Sequence, residues 1–362
     1  MSLDRAQIEN ALKQIEDPHN GRDLVSAKNV RNIAIDGGSV SVELVLGYPA
    51  KSWADELAAL VRTELERVDG VESAKVDVSW EIISHTVQKG VKPLEGVKNM
   101  IAVASGKGGV GKSTVAVNLA LALSAEGARV GVLDADIYGP SQPRMLGIAG
   151  KPESKDGKSM EPLKSYGLQA MSIGFLIDEE TPMIWRGPMV TQALEQMLKD
   201  TRWDDLDYLV IDLPPGTGDT QLTLAQRVPV TGAVIVTTPQ DIALLDARKA
   251  YRMFEKVEIP ILGVVENMST HICSQCGHEE HIFGEGGGRN MSSQYNVPFL
   301  GDIPLDVRIR VDADGGKPSV VSDPDGKIAQ SYKAIARRVA AAIATRKKDY
   351  SAKFPSIVVE NS

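Results

Sequence analysis

The pattern of hydrophobic and polar positions changes about a quarter of the way along the chain. In the first part, apolar residues recur at helical spacing over 6–15 and 53–68, which predicts two amphipathic helices. Apolar residues alternate with polar or small ones over 40–46, and the segment 76–80 has the same strand-like character. Together these elements predict a small α+β domain over residues 1–88.

The second part of the chain contains strands of a different kind. Continuous apolar runs of strand length are separated by longer segments, and they lie at 101–104, 130–133, 208–213, 233–237 and 261–265. Apolar strands without alternation are typical of a parallel sheet that helices cover on both faces. The pattern predicts an α/β domain over residues 98–348, joined to the first by a linker at 89–97 and followed by a tail at 349–362.

A glycine-rich segment follows the first of these apolar strands. It reads GKGGVGKST over residues 106–114, called the phosphate loop below, and a helical run of apolar residues comes after it. Its glycines allow backbone N–H groups to turn toward a phosphate, and the start of the helix adds its positive dipole end. Lys112 supplies a charge for the β and γ phosphates, and Ser113 supplies a hydroxyl for Mg²⁺. The predicted nucleotide contacts are Gly106, Lys107, Gly108, Gly109, Val110, Gly111, Lys112, Ser113 and Thr114.

The phosphate loop also fits a dinucleotide-binding pattern. Gly106, Gly108 and Gly111 satisfy GxGxxG, and an aspartate at a suitable distance downstream, Asp134, could hold a ribose hydroxyl. A hydride-transfer site, however, has no need for a lysine and a magnesium-binding hydroxyl at the end of the loop. The complete GxxxxGKS/T pattern therefore favours a nucleoside triphosphate with Mg²⁺.

Three aspartates at the ends of apolar strands support a triphosphate site. Asp212 ends one strand, as a carboxylate must if it is to reach the magnesium shell from the carboxyl edge of the sheet. Asp134 and Asp136 end another strand at the same edge. A single aspartate in such a place is most often a turn residue, whereas three of them beside a phosphate loop indicate a metal site.

The net charge and the lengths of the apolar runs bear on which partners the protein could bind. The 362-residue chain has 40 basic and 48 acidic residues and a net charge of −8, which disfavours nucleic acid or anionic lipid as the main partner. No apolar run approaches the roughly 20 residues that span a bilayer, and the start of the chain lacks the pattern of a signal peptide. We expect a cytoplasmic protein with no membrane or nucleic-acid partner.

The two cysteines, Cys273 and Cys276, form a CxxC pair in a polar segment after the last of the apolar strands. In a reducing compartment a close pair indicates a metal or redox site. An iron–sulfur cluster usually takes four cysteines, so two chains related by a two-fold axis would have to share one. Zinc is an alternative, since three histidines lie close to the cysteines, namely His271, His278 and His281. A thioredoxin-like redox pair is a third interpretation.

Further motifs carry a resemblance to a known family. They are LDADIYGPS at 133–141, IDLPPGTGDTQLT at 211–223, TTPQD at 237–241 and ENMS at 266–269. With Lys107 in the phosphate loop and the CxxC pair, the chain closely resembles the Mrp/ApbC family of iron–sulfur cluster carrier ATPases over 98–345. That family belongs to the MinD, ParA and nitrogenase iron protein superfamily, so the resemblance implies a P-loop NTPase fold. Residues 1–85 resemble a small iron–sulfur assembly domain.

The resemblance implies roles for individual residues. Lys107 would reach across a dimer to the partner's nucleotide, and Asp136 would position the attacking water. Asp134 and Asp212 would serve Mg²⁺, and Asn267 would contact adenine. Lys107, Lys112 and Asp136 are thus the expected catalytic group.

The resemblance also implies a function. It is that of a homodimeric ATPase that binds Mg-ATP, holds a [4Fe-4S] cluster through Cys273 and Cys276 of both chains, and works with cluster assembly factors to supply apo-proteins. We expect hydrolysis to be slow, because no obvious general base accompanies the magnesium carboxylates. The alternative from a different class is a MinD- or ParA-like positioning ATPase, with zinc at the CxxC pair. Positioning requires neither a cluster nor thiols, so the cysteine pair favours the carrier.

Overall fold

The computed structural model describes residues 3–177, 187–273 and 275–348. The predicted tail at 349–362 lies outside the described residues. The first, smaller unit consists of the helices α1 (Arg5–Leu12) and α2 (Ala54–Leu65) and the strands β1 (Glu16–Asp17), β2 (Arg22–Asp23), β3 (Val30–Asp36), β4 (Ser39–Leu46) and β5 (Ser73–Trp80).

Three strands of the small unit form one sheet. β3 pairs antiparallel with β4, and β4 pairs parallel with β5. β4 buries every second residue from Val40 to Leu46, which is the alternation that the sequence predicts. The sequence does not predict β3, because its register shifts between Val30 and Asn32 and interrupts the alternation.

The larger unit is built on a wide sheet. Its strands are β6 (Val97–Ala104), β7 (Val130–Asp134), β8 (Leu163–Ser165), β9 (Leu168–Ser172), β10 (Leu206–Asp212), β11 (Gly232–Thr237), β12 (Ile261–Asn267), β13 (His271–Ile272), β14 (Glu279–Glu280) and β15 (Phe299–Ile303). Eight of them form one sheet in the order β15-β12-β11-β6-β10-β7-β9-β8. Neighbouring strands in this sheet are parallel, except that β8 is antiparallel to β9. The predicted α/β class with a mostly parallel sheet is confirmed.

Helices cover both faces of this sheet. They are α3 (Lys112–Ala125), α4 (Gln142–Met145), α5 (Gly187–Asp200), α6 (Asp219–Arg227), α7 (Asp241–Lys256), α8 (Gly287–Tyr295), α9 (Val307–Asp314), α10 (Ser319–Ser322) and α11 (Lys327–Ala344), and a 3₁₀ turn spans Ile173–Phe175. α3 packs against α11, whereas α5, α6, α7 and α8 pack against one another in succession. In the described part of the chain, no helix has both the length and the apolar content that crossing a bilayer requires.

Three strands of the wide sheet, β8, β9 and β15, escape the sequence analysis. β9 carries Gln169 within the sheet, where its side-chain amide bonds to both the carbonyl and the N–H of Asp204 at 3.0 Å. β15 contains Gly301 and Asp302 within five residues. Polar and glycine residues in such short strands interrupt the apolar run that identifies the other strands.

A buried ion pair of the large unit binds the small unit at the end of α3. Glu126 is the C-cap residue of α3 and accepts hydrogen bonds from the backbone N–H of Ser52 at 3.0 Å and from Nη1 of Arg337 at 2.7 Å. Arg337 lies on α11, and its side chain is 11 % exposed, compared with 0 % for Glu126. One charged cluster therefore connects the small unit, α3 and α11.

Close packing supports the same interface. Gly127 has a φ of +102°, and a Cβ there would lie 2.6 Å from the ring of Trp80, so this position requires glycine. The segment that connects the units is also anchored, because Gln88 is buried and bonds to Ala225 O and Val230 N, both at 2.9 Å. The domain bounds at 88 and 98 stay predictions.

The neutral form of His19 also stabilises this interface. Its ring lies edge-on to Tyr48 and Trp53, and its Nε2 accepts a hydrogen bond from Nε of Arg337 at 3.0 Å. Burial, followed by the positive charges of Arg337 and Arg338, lowers the pKa of His19 to about 3. A protonated His19 would place a second positive charge against these arginines.

Replacing Arg337 tests the buried ion pair. Arg337→Met leaves Glu126 buried without its charged partner, so we expect the free energy of unfolding to fall by about 3 kcal/mol in urea denaturation. The double variant with Glu126→Gln should recover part of this loss, because it removes the unpaired charge. Arg5→Met is the control, since Arg5 pairs with Glu9 but is 62 % exposed and should change stability little. Equal losses in Arg337→Met and Arg5→Met would contradict the importance of the buried pair.

The pH dependence of stability tests His19. Below the ordinary pKa of 6.5 the unfolded chain takes up a proton at His19, whereas the folded chain does so only near 3. We therefore expect the free energy of unfolding to fall as the pH drops from 6.5 toward 3, and to fall less steeply in His19→Gln. The measurement is urea denaturation at several pH values, with the exposed His278→Gln as control. A His19→Gln slope that matches wild type would refute this role.

Candidate functional site

The phosphate loop is clamped between two elements of the large unit. Gly106 lies so close to α7 that a Cβ there would be 2.1 Å from the backbone of Asp246. Gly111 has a φ of +80°, and a Cβ there would lie 2.2 Å from Nδ2 of Asn267 at the end of β12. Packing requires glycine at both positions, and the left-handed backbone conformation requires it again at Gly111.

The lysine at the start of α3 points into the site rather than to solvent. Lys112 is 5 % exposed, and its Nζ bonds to Oδ1 of Asp212 and lies 3.2 Å from Oγ of Ser113. The same Nζ is 3.9 Å from Oδ2 of Asp136. The fold thus brings together four of the residues that the sequence assigned to phosphate, magnesium and catalysis.

Gln142, at the start of α4, completes this group and was missed by the sequence analysis. Its Nε2 donates to Oδ2 of Asp212 at 2.9 Å and to the carbonyl of Ser113 at 3.1 Å. The side chain therefore links the strand end of β10 to the first turn of α3. Its position directly after the acidic motif at 133–141 was the only signal in the sequence.

Asp134 holds the loop that carries the next acidic residue. Its carboxylate accepts hydrogen bonds from the N–H groups of Ser141 and Gln142 and from Oγ of Ser172, all at 3.0 Å. Asp134 is paired in register with Asp212 on the neighbouring strand. Burial first, and the charge of Asp212 second, raise the pKa of Asp134 to about 7. Its predicted service to Mg²⁺ stays a prediction.

Asp136 is the more accessible of the two acids in this motif. Its side chain is 14 % exposed, compared with full burial for Asp134 and Asp212. Burial still raises the pKa of Asp136, and the nearby charge of Lys112 opposes that change. A partly exposed carboxylate beside the phosphate loop is suited to contact water, which is the role that the resemblance implies.

The residues around the phosphate loop fit a phosphate with Mg²⁺. The outer side of the loop is open, because a Cβ at Gly109 would meet nothing within 4 Å. The Ser113 hydroxyl and the Asp212 carboxylate offer the oxygen ligands that Mg²⁺ prefers. Oε1 of Gln142 is buried without a hydrogen-bond partner in the described residues. This oxygen could accept a hydrogen bond from a water bound to the metal.

Asn267 and Lys107 were both assigned nucleotide contacts from the resemblance. Nδ2 of Asn267 donates to the carbonyl of Val110 at 2.9 Å, so this buried side chain is attached to the phosphate loop. Lys107 is only half-buried, and its backbone carbonyl accepts a hydrogen bond from Ser105 Oγ at 2.8 Å. The adenine contact of Asn267 and the reach of Lys107 across a dimer stay predictions.

The CxxC pair lies at the tip of a short hairpin, called the cysteine hairpin below and made of β13, residues 273 and 275–278, and β14. β13 and β14 pair antiparallel, and the N–H of Cys273 donates to the carbonyl of His278 at 2.9 Å. Cys276 is exposed and Cys273 is half-buried. The backbone N–H groups of Gln275 and then Cys276 lower the pKa of Cys273, which favours the thiolate that binds metal.

The nearby histidines do not complete a metal site around these thiols. Nδ1 of His271 lies 3.1 Å from the carbonyl of Leu305, and Nδ1 of His281 lies 3.1 Å from the carbonyl of Ser269. Over residues 3–177, 187–273 and 275–348, no group of three or more histidine, cysteine, aspartate or glutamate side chains is arranged to hold a metal ion. The geometry does not favour a single-chain zinc centre.

Comparison with known proteins agrees with this geometry. The family profile described as NUBPL iron-transfer P-loop NTPase matches residues 96–340. The chain belongs to this family. A second profile, described as iron-sulfur cluster assembly protein, matches residues 5–78 of the small unit. The resemblance drawn from the motifs is confirmed.

Individual proteins show how far this iron-transfer P-loop NTPase resembles known ones. The iron-sulfur cluster carrier protein of Haemophilus influenzae is 51 % identical over 334 residues, which is 92 % of this chain and 90 % of that protein. A solved nucleotide-binding protein in complex with ADP, from Archaeoglobus fulgidus, is 38 % identical, with a TM-score of 0.56 over 64 % of this chain and 90 % of that chain. The cell division ATPase MinD of Pyrococcus furiosus, 23 % identical with a TM-score of 0.51 over 67 % of this chain and 98 % of that chain, shares the fold.

Gly111→Ala tests the packing of the phosphate loop in this NTPase. An alanine in the left-handed conformation costs about 1–2 kcal/mol by itself. Because the new Cβ would also meet Nδ2 of Asn267, we expect the free energy of unfolding to fall by clearly more than that. Gly157→Ala is the matched control, because Gly157 has a φ of +70° but open space around its Cβ position. Urea denaturation compares the two, and equal losses would show that the Asn267 contact does not constrain the loop.

Proposed function

We propose that this chain is an ATP-hydrolysing carrier that holds a [4Fe-4S] cluster between two copies of itself and transfers it to apo-proteins. The observation that carries the proposal is the cysteine hairpin, which presents two thiols at an accessible tip with no further ligand cluster in the described residues. Membership of an iron-transfer P-loop NTPase family supports it. The carrier name of the Haemophilus influenzae relative supports it further.

The count of sulfur ligands leads to the dimer. A [4Fe-4S] cluster usually takes four thiolates, and Cys273 and Cys276 are the two cysteines of the sequence. Two chains related by a two-fold axis supply four thiolates from equivalent positions. Exposure of Cys276 suits a cluster that is cargo, because an acceptor's thiols must reach the iron during transfer. Apo iron–sulfur proteins and cluster assembly factors are thus the expected partners.

The nucleotide site would bind Mg-ATP with the residues described above. Lys112 and the N–H groups of the phosphate loop would bind the phosphates. Ser113 and Asp212 would serve Mg²⁺, together with Asp134, which is the register partner of Asp212 on the neighbouring strand. When bound, Mg²⁺ would supply positive charge to the phosphate oxygens. Asp136 would orient the attacking water, Asn267 would contact adenine, and Lys107 would reach the nucleotide of the partner copy. Hydrolysis is expected to be slow.

The need for reduced thiols bears on where in the cell the protein would act. The N–H groups that lower the pKa of Cys273 also make it easier to oxidise, and a carrier needs both thiols reduced. We therefore infer that the protein acts in the cytoplasm, where thiols are kept reduced.

Anaerobic reconstitution with iron and sulfide tests the carrier. We expect a brown dimer with one cluster for two chains, and loss of both the cluster and the dimer that it holds in Cys273→Ser and in Cys276→Ser. His278→Ala is the matched control, because it lies on the cysteine hairpin but is not proposed as a ligand, and it should bind as wild type does. A zinc-containing, iron-free monomer purified without oxygen would refute the proposal. ATP-dependent pelleting with DNA or liposomes without cluster uptake would instead support a positioning ATPase.

A further inference from the structure

The cysteine hairpin lies in the connection between β12 and α8. This connection, called the excursion below, leaves the wide sheet after β12 and returns to the end of β12 at α8. Its outgoing limb is bonded to the chain at and after β15. The N–H of Ser269 donates to the carbonyl of Ile303 at 3.0 Å, and the N–H of Leu305 donates to the carbonyl of Thr270 at 2.9 Å. The first part of the excursion is thus fixed to the sheet edge.

Below the β13–β14 pairing, the returning limb makes two further contacts, one to the outgoing limb and one to the end of β12. Nδ1 of His281 lies 3.1 Å from the carbonyl of Ser269. Further along, the N–H of Gly288 in the first turn of α8 donates to Oε2 of Glu266 at 2.5 Å. A Cβ at Gly288 would lie 3.0 Å from Cβ of Glu266, so glycine allows this close approach. These contacts close the base of the excursion and leave the two cysteines at its far end.

Glu266 and Asn267 are consecutive residues at the end of β12, and consecutive strand residues point to opposite faces of the sheet. On one face Asn267 is bonded to Val110 in the phosphate loop. On the other, Glu266 is bonded to Gly288 at the return of the excursion. One strand end therefore contacts both the nucleotide loop and the segment that carries the cysteines.

From this juxtaposition we propose that Glu266 is a positioning residue that couples the phosphate loop to the cysteine hairpin. A nucleotide that shifts Val110 and Asn267 also shifts Glu266, and through Gly288 it changes the geometry of the cysteines. The inference rests on the proposed function, since it supplies a route by which ATP could govern cluster retention. Glu266 is 4 % exposed, and burial raises its pKa while the Gly288 N–H opposes that change, so the carboxylate depends on this hydrogen bond.

The test uses the full-length, metal-free protein and reads the two thiols directly. The rate at which iodoacetamide alkylates Cys273 and Cys276 is measured with and without Mg-ATP, and nucleotide affinity is measured with a fluorescent ATP analogue. We expect Mg-ATP to change the alkylation rate of the wild type by about fivefold. In Glu266→Ala this ratio should fall to near one while nucleotide affinity stays within about twofold.

Two further variants separate positioning from general damage. Glu266→Gln keeps an oxygen that accepts the Gly288 N–H and should retain most of the wild-type ratio. Glu280→Ala removes an exposed carboxylate of the same hairpin and should leave the ratio unchanged. If Glu266→Ala does not fold, Glu266→Asp replaces it, because the shorter side chain withdraws the carboxylate from Gly288.

The outcomes distinguish this inference from the proposed function. A wild-type ratio near one, or a Glu266 variant that keeps the wild-type ratio, overturns the coupling even if the protein takes up iron. Loss of the ratio in Glu266→Ala with no iron uptake by the wild type would leave the coupling established and refute the cluster carrier.

Discussion

The positive charge of Lys112 among buried carboxylates is the interaction on which the nucleotide site depends. Its ammonium bonds to Asp212 and lies 3.9 Å from Asp136, while Asp134 is paired with Asp212 across the strands. This group has one cation and three acids, and burial first and the charge of Asp212 second raise the pKa of Asp134. A phosphate that drew Lys112 away would increase this surplus of negative charge. The divalent cation that we propose at this site would offset that surplus.

The sequence predicts those parts of the fold in which one signal dominates. β6, β7, β10, β11 and β12 are continuous apolar runs, and the rule that parallel strands end at one edge was enough to bring Asp136 and Asp212 to the phosphate loop. β9 and β15 escape it because their polar residues are satisfied only by partners distant in the chain. Gln142 and Glu266 escape it for the same reason, since each acts through contacts that exist only after folding.

The cysteines illustrate a different limit. Counting sulfur atoms is enough to predict a second chain for a bound [4Fe-4S] cluster, because that prediction rests on stoichiometry and not on shape. Whether the neighbouring histidines gather around the thiols depends on the fold, which no spacing rule gives. In the described ranges no three such side chains are arranged to hold a metal ion, and two backbone N–H groups favour the thiolate of Cys273.

The helix α3 begins at Lys112 and is capped at its other end by Glu126, the residue that binds the small unit. Its 14 residues give a rod about 20 Å long, stiff along its axis because every turn is hydrogen-bonded to the next. An axial displacement at one end therefore appears at the other with almost the same magnitude. The attachment of the small unit and the lysine of the phosphate loop therefore lie at the two ends of a single rigid helix.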